Sequence, residues 1–137
     1  MSDLAVDTSF AVPFLVRSHT AHDLTRAHIG DRRPALTGHS LAETYAVLTR
    51  LPGDARLAPA DAVTLISANF ADPVLIDPGV AADLPAVLAP LGVAGGAVYD
   101  ALVALAAAGA ALPLATRDRR AASTYAVLQI DIELLAA

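Results

Sequence analysis

The sequence predicts an α/β fold in which a central, mainly parallel sheet is flanked by helices. Short apolar runs at residues 4–6, 35–37, 74–76, 112–115 and 128–135 are separated by longer segments with apolar residues at helical spacing. Strands that alternate with helices in this way form parallel sheets covered on both faces. The first run, Leu4-Ala5-Val6, is apolar throughout rather than alternating, as a strand buried on both faces must be, and it ends abruptly in Asp7-Thr8-Ser9.

Taken in order, residues 10–16 read as a short first helix, with Pro13 tolerable only near its first turn. A second, amphipathic helix runs over about 20–28 and is closed by Gly30. Ala35-Leu36-Thr37 is the second strand. The clearest helical pattern follows over 40–50 and ends at Leu51-Pro52-Gly53. Pro59 opens a helix to about Asn69, and Val74-Leu75-Ile76, between Pro73 and Pro78, reads as a third strand. A helix is expected over about 80–91, disturbed near its start by Pro85, and another over 97–108 that stops at Gly109. Leu112 to Ala115 is the next strand, with Pro113 where a missing donor is tolerable. Thr116-Arg117-Asp118 turns into a short helix through Tyr125, and Leu128 to Leu135 alternates as a last strand.

A chain of 137 residues is expected to form one domain with a sizeable core, and 55% hydrophobic residues argue against long disorder. Cysteine is absent, which removes disulfides, thiolate metal sites and a cysteine nucleophile. The nine basic residues are all arginine, which removes P-loop phosphate binding, Schiff-base chemistry and the metal-plus-lysine sites of receiver domains and haloacid-dehalogenase phosphatases. A net charge of −5 argues against a general nucleic-acid coat, though not against a local basic patch. No basic residue precedes Arg17, so no secretory leader is expected and the cytoplasm is the expected compartment. The uncharged stretches on either side of Asp100 are broken by that acid, Gly109 and Pro113, so no membrane span is expected. His19, His22 and His28 do not share a helix face and read as packing or solvated groups rather than metal ligands.

Four carboxylates stand where surface charges are uncommon. Asp7 and Asp118 end apolar strands, and Glu43 and Asp100 lie within apolar helices. Each has a local alternative except Asp100. Asp7 and Asp118 could cap the helices that follow them, and Ser40-Leu-Ala-Glu43 is also a capping-box pattern. Asp100 has only Gly96, Ala97, Val103 and Ala104 three and four residues away, and Glu43 has only His39 to answer its charge. Acids gathered among apolar residues need a proton, hydrogen bonds or a cation. Hard oxygen ligands without a histidine or cysteine cluster point to Mg²⁺ or Mn²⁺, the equipment for hydrolysing a phosphodiester.

The strand ending in Asp7-Thr8-Ser9, the Ser40-x-x-Glu43 helix, Val98-Tyr99-Asp100-Ala101 and Ala115-Thr116-Arg117-Asp118-Arg119-Arg120 resemble, in order and spacing, the PIN-domain ribonucleases, and in particular the VapC-type toxins of toxin-antitoxin pairs. The resemblance covers essentially the whole chain. It implies a PIN-like three-layer fold, an endoribonuclease dependent on Mg²⁺ or Mn²⁺, a homodimer, and a cognate antitoxin protein that silences it. Asp7, Glu43, Asp100 and Asp118 would be the metal-binding and catalytic acids, with Ser9 and Thr116 as supporting contacts. One departure stands out: relatives often carry glycine after the Tyr125 helix, where this chain has Leu128-Gln129.

If the first strand is central and the strand ending at Ala115 is its neighbour, Asp7 and Asp118 emerge on one edge. Arg117, Arg119 and Arg120 would then surround the mouth and hold RNA phosphates as fork donors, or be a solvated basic turn. Two other functions fit the same residues: a nuclease acting on DNA or structured nucleic acid, and a catalytically idle module that pairs with a partner protein.

Overall fold

The computed structural model describes residues 1–135. The elements run β1 (Leu4–Val6), α1 (Thr8–Leu15), α2 (His22–Ile29), β2 (Pro34–Leu36), α3 (Gly38–Leu48), α4 (Pro59–Asn69), α5 (Pro78–Ala82), α6 (Leu84–Leu88), α7 (Ala97–Gly109), β3 (Leu114–Thr116), α8 (Arg119–Val127) and β4 (Ile132–Leu134). Single 3₁₀ turns occupy Gly53–Ala55 and Ala89–Leu91. All strand pairs are parallel, in the order β2-β1-β3-β4.

The sheet is a middle layer because its side chains alternate between two cores. Leu4 and Val6 point into a cluster with Phe10, Phe14, Ile29, Leu36 and Leu48, which carries α1 to α4. Ala5 and Leu114 point the other way, against Val103, Ala104 and Ala107 of α7 and Ala121 and Tyr125 of α8. That second core is rich in alanine, with Ala5, Ala104, Ala107 and Ala121 among its buried members. From β1 the chain goes to β2 on one side and later returns to β3 on the other, so the crevice at the carboxyl ends of β1 and β3 is where connection direction reverses. Asp7 and Asp118 follow these two strands.

Several elements differ from expectation. Residues 74–76 are not a strand: Val74 alone pairs with Thr37, its N–H donating to Leu36 O at 2.9 Å and its carbonyl accepting from Gly38 N–H at 3.0 Å. With α3 starting at Gly38, β2 offers no further edge, and Leu75 turns out to 68% exposure. The helix expected over 80–91 is two short helices and a 3₁₀ turn, because Asp83 caps α5 and Pro85 opens the next turn. Pro13 lies in the interior of α1 rather than its first turn, buried against the core, and the helix closes two residues later.

The last strand is shorter than 128–135 because α8 continues through Val127 and closes with a Schellman turn: Gln129 N–H donates to Ala126 O and Ile130 N–H to Tyr125 O. Gln129 takes the left-handed conformation at φ 58°, the place where glycine is usual. α7 ends in the same way. Gly109 is its last helical residue, and the left-handed position falls two residues later on Ala111, at φ 55°.

β4 is fastened from across the molecule. Arg32 donates to both carboxylate oxygens of Glu133 at 2.9 and 3.0 Å, and His28 Nε2 meets Oε1 at 2.7 Å. The arginine's hydrogen bonds hold the Glu133 carboxyl below its ordinary value. His22 Nδ1 contacts the Pro13 carbonyl at 2.9 Å and His19 Nδ1 accepts from Ala21 N–H, so His19 and His22 serve bonds near them in the chain and His28 the long-range tie to Glu133. No helix among the described residues is long and apolar enough to cross a membrane.

A side chain in the left-handed region costs roughly 1–2 kcal/mol, partly offset by the extra freedom glycine gives the unfolded chain. Ala111→Gly and Gln129→Gly are each expected to stabilise the protein by about 0.5–1 kcal/mol, read as a higher urea midpoint at unchanged slope. A lower midpoint in both would show that the two turns are not closed as described.

Candidate active site

Asp7 is the most constrained carboxylate in the molecule, at 5% exposure. Its Oδ1 accepts from Ser9 Oγ at 2.6 Å and from Phe10 N–H at 3.2 Å. Its Oδ2 accepts from Thr116 Oγ1 at 2.5 Å and from the Tyr125 hydroxyl at 2.9 Å. The Phe10 bond makes Asp7 the N-cap of α1, so the capping role and a place in the crevice coexist. A carboxylate has about four acceptor positions, and four donors fill them. Burial holds the Asp7 carboxyl above its ordinary value, while the bonds from Ser9, Thr116, Tyr125 and Phe10 pull it down.

Asp118 caps α8 through Oδ1 alone, which accepts from Arg120 N–H at 2.9 Å and Ala121 N–H at 3.2 Å. Its own N–H donates to Thr116 Oγ1 at 3.1 Å, so Thr116 links the two acids. Asp100 lies in the first turn of α7, not deep in it, and meets the positive end of the helix dipole there. Its carboxyl is raised first by burial and next by the charge of Asp118, with Asp7 and Glu43 adding to the rise and Arg120 opposing it. Asp118, Asp7 and Glu43, from three other segments, are thus near enough for their charges to bear on Asp100.

Glu43 is freed by a change of capping partner. Thr37, not Ser40, caps α3: Thr37 Oγ1 accepts from Ser40 N–H at 3.2 Å, and Ser40 Oγ accepts from Thr37 N–H at 2.9 Å. The capping box is thus Thr37-x-x-Ser40, and the expected Ser40–Glu43 pairing is replaced. Glu43 instead pairs with His39 Nε2 at 2.8 Å, one helical turn back, and lines a cleft of about 610 Å³ with Tyr99, Asp100, Arg120 and Ser123.

Of the three arginines, only Arg120 lines this cleft. Arg119 is exposed. Arg117 donates its backbone N–H to Ser9 Oγ at 2.9 Å and has its Nε buried with no hydrogen-bond partner among the described residues. Ser9 and Thr116 touch each other at 3.3 Å and both bind Asp7, which makes them the contacts that hold that carboxylate in place.

The sequence reading gave no site role to Tyr125 or Tyr99. Tyr125 shares the buried face of α8 with Ala121 and Ala122, and its phenol is pushed far up from its ordinary value by burial and by the neighbouring Asp7 charge. A tyrosine on an inward stripe needs a polar partner, which is the signal that could have found it. His39 stacks on Tyr99 with ring centroids 5.6 Å apart and planes 17° apart. Spacing alone allowed the His39–Glu43 pair but could not bring Tyr99 to it.

The family model described as PIN domain matches residues 4–127. The chain belongs to the PIN-domain family. Within the family it is a VapC-type ribonuclease: it is 55% identical to Ribonuclease VapC27 of Mycobacterium tuberculosis (strain ATCC 25618 / H37Rv) over 133 residues, 97% of each chain. It is 38% identical to Ribonuclease VapC40 of the same species over 136 residues, 96% of this chain and 98% of the other. Its fold is similar to the crystal structure of M. tuberculosis VapC20, described as a sarcin-ricin loop cleaving toxin, with a TM-score of 0.66 at 15% identity over 88% of this chain and 94% of that one. It is also similar to M. tuberculosis VapBC-5, a toxin-antitoxin family member, with a TM-score of 0.55 at 24% identity over the whole of both chains. The PIN-domain protein is thus an endoribonuclease of the toxin-antitoxin class.

PIN ribonucleases generally depend on a divalent metal. Among the described residues, no three histidine or carboxylate side chains are arranged to enclose an ion as they stand. The donor set nevertheless fits one in chemistry: it is all oxygen, and both burial and the like charge of Asp118, which hold the Asp100 carboxyl above its ordinary value, are costs that a cation would offset.

Loss of the Tyr125 hydroxyl should leave a buried charge short of one donor. Tyr125→Phe is expected to cost about 1.5–3 kcal/mol at pH 7, shrinking in acid as Asp7 takes up its proton. Urea denaturation across pH measures this, and a pH-independent loss would show that the bond is not to a charged group. For Asp100 the folded value lies above the ordinary 3.8, so its proton is held more tightly in the folded state and stability falls as pH rises through that interval. In metal-free, low-salt buffer Asp100→Asn is expected to be more stable than wild type at pH 7, by on the order of 0.5 kcal/mol after solvent screening. The two should converge near about pH 3, where carboxyls are protonated.

Proposed function

We propose that the crevice beyond β1 and β3 hydrolyses RNA phosphodiester bonds with a divalent cation, Mg²⁺ or Mn²⁺, held by Asp7, Glu43, Asp100 and Asp118. The observation that carries this reading is that Glu43 and Asp100 line one cleft, while Thr116 ties Asp7 to Asp118, the cap of the helix that carries Arg120 into the same cleft. Asp7 and Asp118 have capping roles, but Asp100 has none and Glu43 answers only to His39, so helix capping leaves the placement of these two unexplained. A cation bound there supplies a water of lowered pKa and offsets charge developing on the phosphate.

The chain's own groups do the rest. Ser9, Thr116 and Tyr125 fix the orientation of the Asp7 carboxylate, and because they fill its acceptor positions, direct ligation by Asp7 requires one of the hydroxyls to turn aside. Asp118 keeps one oxygen for α8 and offers the other. Arg120, on the cleft wall beside Asp100, supplies the fork that grips a phosphate. Arg119, exposed beside Asp118 in sequence, is the proposed further contact to the RNA backbone, while the buried Nε of Arg117 leaves that residue less free to take part.

The toxin-antitoxin relatives support a cognate antitoxin as protein partner, and a homodimer is the proposed assembly. Exposed apolar side chains such as Tyr45, Val63 and Leu75 beside the α3–α4 face offer contact area for protein partners.

Asp7→Asn and Asp100→Asn are each expected to lower cleavage of RNA by at least about a hundredfold while keeping the folded-state circular dichroism. EDTA should abolish wild-type cleavage, and Mg²⁺ or Mn²⁺ restore it. Matched RNA and DNA strands tested together decide the substrate. Undiminished activity in both variants, or in excess chelator, would sink the reading.

A further inference from the structure

The motif Val98-Tyr99-Asp100-Ala101 contains a residue that the acid chemistry does not use. Tyr99 precedes Asp100, lines the same cleft, and is 59% exposed. Large aromatic rings are seldom left so open beside a charged site without something to stack on. One face of this ring is already occupied, by the His39 imidazole at 5.6 Å and 17°. His39 is in turn anchored at Nε2 by Glu43 at 2.8 Å, and Glu43 lines the cleft as well. The three side chains form a short stack from α3 to α7 whose far end is solvent.

We propose that Tyr99 is a stacking platform for an unpaired base of the RNA substrate, with His39 as the positioning residue that holds the ring. This rests on the reading of the acid cleft as an RNA-cleaving site and adds how the strand is seated. Single-stranded nucleic acid is bound by combining groups that follow the backbone with aromatic rings that take the bases. Arg120 meets the first need and Tyr99 the second, on the wall of one cleft. Recognition of RNA by protein mostly targets unstacked bases in loops and bulges, and an open tyrosine already backed by a second ring is organised to receive one. Because stacking accepts any base, Tyr99 gives preference for an unpaired nucleotide near the scissile bond rather than for one letter. Its proximity to Asp100 puts that nucleotide next to the reacting phosphate.

The test is a binding cycle, run in an Asp100→Asn background so that cleavage does not intervene. Fluorescence anisotropy follows short single-stranded RNAs of mixed sequence, one intact and a series each lacking one base. Tyr99→Ala should weaken binding of the intact strand at least about fivefold, the lower end of a base-aromatic stack. Tyr99→Phe, which keeps the ring, should restore most of that affinity. At one position in the series, removing the base should weaken binding to the Tyr99 protein but cost nothing further in Tyr99→Ala. His39→Ala should give a smaller loss in the same direction. In the cleavage-competent protein, Tyr99→Ala should raise KM far more than it lowers kcat. The proposal fails if every missing base costs the same with and without the ring. It also fails if Tyr99→Ala lowers kcat alone, or shifts the oligomeric state in size-exclusion chromatography while leaving RNA affinity intact; the last result would assign the ring to a protein contact. Loss of activity in Asp7→Asn is measured separately, so failure of the acid reading and failure of the platform give different results.

Discussion

A buried carboxylate that must be surrounded by donors is the constraint on which this structure depends. Asp7 leaves the end of a strand with no exposed face, and an ion in that position is tolerated only if its lone pairs are met. The donors come from three places: the start of α1, the end of β3 and the inward face of α8. Satisfying one side chain therefore fixes the relative positions of the first and last parts of the chain. β3 has to lie beside β1 for Thr116 to reach Oδ2, and α8 has to pack on the sheet for Tyr125 to do so.

The same constraint sets up the site. Three of the four acids sit at helix N-termini, where backbone N–H groups and the helix dipole favour negative charge. This lowers the cost of gathering them without removing their mutual repulsion, as the upward push on Asp100 shows. Capping and catalysis are not competing explanations here. Asp7 and Asp118 each cap a helix through Oδ1, which leaves the second oxygen outside the cap for the proposed shared duty. Glu43 alone is relieved of a capping duty, because Thr37 and Ser40 form a reciprocal pair one step earlier.

Where sequence reading failed, the cause was usually an event one element away. Val74-Leu75-Ile76 has strand composition, yet the edge it would join ends where α3 begins, and only one residue pairs. Leu128 to Leu135 alternates convincingly, but the first residues are consumed by the turn that closes α8. α7 does stop at Gly109 as expected, but the left-handed residue that closes it is Ala111 and not the glycine. Helix stops are signalled by residue type but decided by which carbonyls the following N–H groups reach.

The sequence by itself determined the layering and the acids. Continuous apolar strands alternating with helical segments can only be covered on both faces, and an acid directly after such a strand lies at the carboxyl edge of the sheet, where capping and a shared site were both open to it. What the tertiary structure alone decided is which groups meet: Tyr125 with Asp7, Thr116 between two acids, Tyr99 stacked on His39. Those pairs join residues from separate elements, up to 118 positions apart. Periodicity reports which face a residue occupies and carries no information on what arrives opposite it.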